Sequence, residues 1–176
     1  MNPIKQYFLR LRLRYEKPKP VVRKTLNYEH TKHIGFLFFT TNRNMSSFIN
    51  RFMKNLLEEG KKVDALTYML SNTENLYGFK YDICTEEQIN WKGSIKTPKI
   101  HEFIKTEFDY LYCIATEKCE VIDYVLKNSH AKCRIGCFDG TNAENFELMM
   151  VMQNGENVDK LIEQMIQYTK KMLVTN

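Results

Sequence analysis

The sequence predicts a three-layer α/β sandwich built on a mostly parallel sheet, preceded by a basic helix. Three observations carry that prediction. From His33 onward, apolar runs of strand length alternate with segments whose apolar residues recur at helical spacing. The first run, Ile34 to Phe39, is apolar without alternation, the pattern of a parallel strand buried on both faces. Strand, helix and strand then follow one another between residues 34 and 70, a βαβ unit whose crossover should be right-handed.

Each element has its own signal. In residues 1–16, Leu9, Leu11 and Leu13 alternate with Arg10, Arg12 and Arg14, which is a strand period. Ile4, Phe8, Leu11 and Tyr15 also recur at helical spacing, with Tyr7 beside them. Ile4 is the only β-branched residue there, and Leu, Arg, Lys and Gln favour helix, so a helix is expected. It must end before Lys17-Pro18-Lys19-Pro20, because each proline disfavours helix in the residue before it. That run divides residues 1–20, a basic amphipathic helix with a Pro-rich linker, from residues 21–176, a single α/β domain.

After the first strand, Met45, Phe48, Ile49, Phe52, Met53, Leu56 and Leu57 form a helical face that Gly60 closes, with Asn44 as N-cap. Val63–Leu70 reads as the second strand, and the irregular stretch 71–97 holds a short one near Tyr81–Ile83. Thr97-Pro98 opens a helix carrying Ile100, Phe103 and Ile104. Tyr110–Ala115, Val121–Leu126 and Cys133–Phe138 read as strand, helix and strand, and Phe146–Met152 as a further strand. Only a short stretch opening on the turn Asp139-Gly140-Thr141-Asn142 separates the last two strands. A parallel crossover usually takes more, so the last strand is expected to run antiparallel. A helix from Val158 to Leu173 ends on Lys170 and Lys171, which suit its dipole. The order of elements is that of a Rossmann-like sandwich.

Composition narrows the function classes. With 176 residues, 43% hydrophobic and 27% charged, the chain can bury a real core as one domain. No apolar run approaches the roughly 20 residues of a membrane-spanning helix, and arginines interrupt the apolar residues that a secretory signal would need. A cytoplasmic protein, peripheral at a membrane if it meets one, is the expectation. Five cysteines, Cys84, Cys113, Cys119, Cys133 and Cys137, argue against a disulfide framework by their odd number. Their spacings lack the CxxC knuckle of structural zinc, so no metal and no cofactor is expected.

Charge is concentrated at the start. Residues 1–24 hold eight basic groups (Lys5, Arg10, Arg12, Arg14, Lys17, Lys19, Arg23, Lys24) against Glu16, a net +7 in a chain of +5. A basic amphipathic helix reads as an element for an anionic membrane surface, for RNA phosphates or for a protein partner. It can equally pack on its own domain with solvated arginines. The binding candidates are Arg10, Arg12, Arg14, Lys17 and Lys19.

Three loops leave predicted strand ends where open α/β sheets bind ligands: Thr40–Ser47, Thr116–Lys118 and Asp139–Asn142. The first is the best supplied with polar groups, in Thr40, Thr41, Asn42, Arg43, Asn44, Ser46 and Ser47, and it leads into a helix N-terminus. It contains no glycine, which GxGxxG and the P-loop both need to wrap phosphate. No HExxH or GxSxG is present, His30, His33, His101 and His130 show no ligand spacing, and the pairs Glu58/Glu59 and Glu86/Glu87 are neighbours that do not converge. Trp91, with Tyr77, Phe79, Tyr81, Lys80, Lys92 and Lys96 around it, offers base stacking or simple cover for a sheet edge.

The segments His33-Ile34-Gly35-Phe36-Leu37-Phe38, Phe108-Asp109-Tyr110-Leu111, Ser129-His130-Ala131-Lys132-Cys133-Arg134-Ile135-Gly136 and Glu147-Leu148-Met149-Met150 resemble, in the same order, motifs of a family of small bacterial α/β proteins with no assigned activity. The likeness spans most of the chain and implies the fold rather than a reaction. The Phe108–Leu111 and Arg134–Gly136 segments are also similar to the N-terminal half of two-domain glycosyltransferases of the heptosyltransferase kind. That resemblance implies nucleotide-sugar chemistry, although those enzymes use a second Rossmann-like half that these 176 residues do not contain. The expected function is a non-catalytic or accessory α/β domain docked to an anionic surface or partner by its basic arm. The alternative is a small-molecule, nucleotide-sugar or phosphate-binding enzyme using the loop after the first strand.

Overall fold

A strand that is apolar without alternation needs a neighbour on each edge and helices over both faces. The computed structural model supplies them, and it describes residues 1–15, 17–18, 20–39, 43–69, 81–95, 97–115, 117–141, 143–151 and 158–172, with only the backbone of 43–46. Among these residues six strands form one sheet: His33–Phe39 (β1), Lys62–Met69 (β2), Asp82–Thr85 (β3), Tyr110–Ile114 (β4), Cys133–Cys137 (β5) and Leu148–Met150 (β6). The order is β3-β2-β1-β4-β5-β6, and each adjacent pair is parallel. β1 is central, with Ile34 opposite Val63 on one edge and Tyr110 on the other.

Among the described residues five α-helices cover the sheet: Pro3–Tyr15 (α1), Arg43–Glu58 (α2), Pro98–Lys105 (α3), Glu120–Asn128 (α4) and Val158–Lys171 (α5). Ile34, Phe36 and Phe38 point to the face that α2 and α5 bury with Ile49, Met53, Leu56, Leu161, Ile162 and Met165. Leu37 and Phe39 point to the other face, where α1, α3 and α4 contribute Leu9, Ile100, Phe103, Val121 and Leu126. The result is the expected three-layer, Rossmann-like sandwich.

One expectation is overturned. β6 runs parallel to β5, with Ile135 opposite Leu148 and Cys137 opposite Met150. Both strands are shorter than their apolar runs, so residues 138–147 are free to cross over, and a 3₁₀ turn at Ala143–Asn145 takes the place of a crossover helix. Arg134 of β5 fixes the register. Its Nε and Nη2 donate to the Glu147 carboxylate at 3.1 and 2.8 Å, and its backbone N–H donates to the same group at 2.8 Å. Nη1 and Nη2 also donate to the carbonyls of Leu126 and Glu144. Gly136 is needed here, because a Cβ would stand 2.2 Å from the Phe146 ring that caps the crossover.

The connection after α1 is tied to the amino ends of β4 and β5. The Lys24 N–H donates to the Lys132 carbonyl at 2.9 Å, and the Tyr110 hydroxyl donates to the Leu26 carbonyl. Asp109 secures the start of β1, accepting the N–H groups of Lys32 and His33 at 2.7 and 3.0 Å beside the Lys132 ammonium.

Candidate functional site

At 3.6 residues per turn, Gln6, Leu9, Arg10 and Leu13 share one side of α1, while Ile4, Phe8, Leu11 and Tyr15 share the other. The first side faces the domain. Leu9 is completely buried in the core shared with α3 and α4. Gln6 Nε2, Arg10 Nε and Arg10 Nη2 all converge on Glu120 Oε1, at 3.0, 2.7 and 2.6 Å. The Lys127 ammonium donates to the Leu13 carbonyl, so α4 holds α1 along its length. Burial alone would raise the Glu120 carboxyl, but the N–H of its own helix start, Arg10 and Gln6 outweigh it and hold the group below the usual carboxylate range.

The turn at 91–94 holds the helix from another side. Gly93 has φ +68°, and a Cβ there would lie 2.5 Å from the Leu9 backbone nitrogen. Only glycine permits both the left-handed conformation and that approach. Arg12 reaches over the same turn, donating to the Lys92 carbonyl at 3.3 Å and the Ser94 hydroxyl at 2.6 Å. At its N-terminal end, the Asn2 N–H donates to Glu86 at 2.6 Å, with the terminal amino group 3.4 Å away.

The opposite side of α1 carries its exposed apolar residues, with Phe8 and Leu11 half-buried among them. Ile4, Tyr7 and Tyr15 are 59%, 60% and 69% exposed, and Trp91, brought alongside by the Gly93 turn, is 62% exposed. Phe8 meets Trp91 edge-on at 6.1 Å between ring centroids. Phe8, Leu11, Arg12, Tyr15, Trp91 and Lys92 line an open, mainly apolar groove of about 570 Å³. The Lys92 ammonium lies 4.9 Å from the Trp91 ring and the Arg14 guanidinium 5.6 Å from that of Tyr15.

A second feature lies at the carboxyl ends of β4 and β5. A cleft of about 300 Å³ is walled by Arg10 and Arg14 of α1, Lys118 before α4, Asp123 on α4, and Asp139 and Thr141 after β5. Burial pushes the Asp123 carboxyl up to about 6, with Lys118 opposing and Glu120 and Asp139 adding to the rise. A carboxyl of that kind can exchange a proton near neutrality beside a lysine. The strand order also reverses between β1 and β4, where α2 and α4 leave towards opposite faces, which is the switch point of such sheets. Near it, at the end of β2, the Thr67 and Tyr68 hydroxyls are buried with no hydrogen-bond partner among the described residues.

Of the loop candidates, Thr40, Thr41 and Asn42 lie outside the described residues, as do the side chains of Arg43, Asn44 and Ser46; Ser47 is exposed on α2. Of the arm candidates, Arg10 is bound to Glu120, Arg12 to the 91–94 turn, and Arg14 and Lys17 are exposed, while Lys19 lies outside the described residues. Trp91 joins α1 rather than covering a sheet edge, and Tyr81 is elsewhere, edge-on to Phe38. Tyr77, Phe79, Lys80 and Lys96 are outside the described residues. Four of the five cysteines are buried and all are free; among the described residues no group of three His, Cys, Asp or Glu gathers as metal ligands. No described helix is long and apolar enough to cross a membrane. The loops at 116–118 and 139–142 are legible in the sequence and the cleft is not, because its other wall comes from α1 more than 100 residues away in sequence.

Residues 5–172 match the model of a family of unknown function (DUF6913), and the chain belongs to that family. No curated protein and no solved structure matches it.

Proposed function

We propose that this member of the family is an accessory, non-catalytic α/β domain that docks to an anionic surface or partner through α1. The observation that carries the reading is the orientation of α1. Its polar side, with Gln6 and Arg10, is spent on Glu120, and the side bearing Ile4, Phe8, Leu11 and Tyr15 is turned outward between Arg12, Arg14 and Lys17. A helix already folded and seated presents that face without an ordering cost on binding. Each basic residue near an anionic membrane adds about 1 kcal/mol, and phosphate contacts on nucleic acid act by the same screened attraction. The test is binding of the full chain to anionic vesicles, RNA and heparin at low and high salt, beside the triple variant Arg12→Gln, Arg14→Gln, Lys17→Gln. Salt-sensitive binding that the variant loses is expected. Equal binding by both proteins, or none by either, would sink the reading.

A second reading is favoured by the cleft and by the buried Thr67 and Tyr68 hydroxyls beside the switch point, which have no hydrogen-bond partner among the described residues. In it the chain is a small-molecule, nucleotide-sugar or phosphate-binding enzyme, in line with the heptosyltransferase resemblance, using the Thr40–Ser47 loop. Thermal stabilisation by a sugar nucleotide or a phosphorylated metabolite would support it. Loss of that stabilisation in Arg43→Ala assigns the ligand to the loop, and loss in Arg14→Ala assigns it to the cleft.

A further inference from the structure

The outward face of α1 contains more than charge. We infer that the anionic surface it meets is a lipid bilayer, entered to interfacial depth by the stripe Ile4, Tyr7, Phe8, Leu11 and Tyr15 together with Trp91. The inference rests on the docking reading above and adds the occupant.

The composition of the face points to lipid. Aromatic rings with a polar edge, Trp91, Tyr7 and Tyr15, stand among cations, Arg12, Arg14 and Lys92, while Ile4 and Leu11 supply purely aliphatic surface. Tryptophan and tyrosine favour the headgroup level, lysine and arginine reach phosphates from apolar stems, and aliphatic side chains gain only from acyl chains. Nucleic acid fits less well. Ile4 and Leu11 offer nothing to a base or a phosphate, and the rings best placed for stacking are already engaged. Lys92 lies over Trp91, Arg14 over Tyr15, and Phe8 meets Trp91 edge-on.

The geometry limits the depth. Leu9 and the Glu120 contacts fix the rear of α1 to the domain, and Gly93 fixes Trp91 beside it. The helix therefore lies flat, and only side chains enter, within the roughly 5–10 Å of an interfacial helix. From Ile4 to Tyr15 the stripe runs about 17 Å at 1.5 Å per residue, long enough for several residues to touch one plane together.

Trp91 is the only tryptophan, so emission excited selectively from tryptophan, beyond the absorption of the ten tyrosines, reports on this face. The full chain is titrated with vesicles of phosphatidylglycerol and phosphatidylcholine, and with phosphatidylcholine alone, at low and high salt. The expected result is binding to the anionic vesicles with a blue-shifted Trp91 emission that brominated acyl chains quench. Ile4→Ser and Leu11→Ser, checked for an unchanged fold by circular dichroism, should each weaken vesicle binding about tenfold, the loss of one buried aliphatic side chain. Binding without a shift or quenching, and untouched by the two serine variants, overturns insertion and leaves the docking reading standing. Salt-sensitive binding to RNA or heparin with none to vesicles does the same. Failure to bind any polyanion overturns both.

Discussion

In α5 the residues at helical spacing point inward: Leu161, Ile162, Met165, Ile166 and Thr169 are buried, and the Thr169 hydroxyl lies 2.7 Å from that of Tyr112. In α1 the stripe with the same spacing points outward, and the only fully buried side chain, Leu9, comes from the opposite side. The two helices differ in what their polar residues find. On α5 the buried polar contact, Thr169 with Tyr112, lies on the apolar face itself, and Lys170 meets Glu59 at the surface, so the apolar face decides the orientation. The polar residues of α1 find Glu120, a carboxylate buried at the start of α4 that needs compensating charge and would be costly to leave alone. An amphipathic pattern therefore says that a helix has two faces, and the partner decides which one turns in.

The largest effect expected is at the buried points of the two helices. Leu9→Ala and Leu161→Ala should each lower the unfolding free energy by about 2–4 kcal/mol in urea denaturation, while Ile4→Ala should change it by less than about 0.5 kcal/mol. Equal losses at Leu9 and Ile4 would erase the contrast. Gly93→Ala should cost about 2 kcal/mol, from a left-handed backbone and a close contact together. It should also speed amide exchange across residues 3–15 while leaving α5 protected, and unchanged exchange in α1 would show that its seat is elsewhere.

Glu120→Gln should cost about 1–2 kcal/mol at neutral pH through weakened charged hydrogen bonds. Because the folded carboxyl titrates below its ordinary value of 4.5, its stabilisation is complete above that value and disappears as pH falls through the lower folded one. The melting temperatures of the two proteins should converge in acid; a gap that persists there would mean shape rather than charge holds α1. Asp123 has the opposite sign. Its folded value of about 6 lies above the ordinary 3.8, so ionising it lowers stability as pH rises from 3.8 through 6. Asp123→Asn should remove that slope and gain less than about 1 kcal/mol at neutral pH, discounted for its partial exposure to solvent. An unchanged slope would place the titration on another group.

The strands and helices of the domain were legible because each depends on local pattern. Ile34–Phe39 could only be a central strand, and Ile100, Phe103 and Ile104 could only face a core. The direction of β6 was not legible, since it depends on a 3₁₀ turn replacing a helix and on Arg134 gripping Glu147 from the neighbouring strand. For α1, its existence was legible and its orientation was not. Glu120 and Gly93, which decide it, are ordinary residues in sequence and become informative only when the fold brings them to Arg10 and Leu9. Trp91 stands out in the sequence as the single tryptophan, but its place beside Phe8 follows from the same turn.

The seat of α1 has a consequence for how the chain is made. The helix is translated before the groups that hold it, since Glu86, Gly93 and Glu120 follow their α1 partners by roughly 80 to 115 positions. Until β4 and α4 are complete, Leu9 has no pocket and Arg10 no carboxylate, so α1 waits as a free basic amphipathic segment while the sheet assembles. During that interval both of its faces are open, and closure of the domain is the event that hides one and commits the other to the outside.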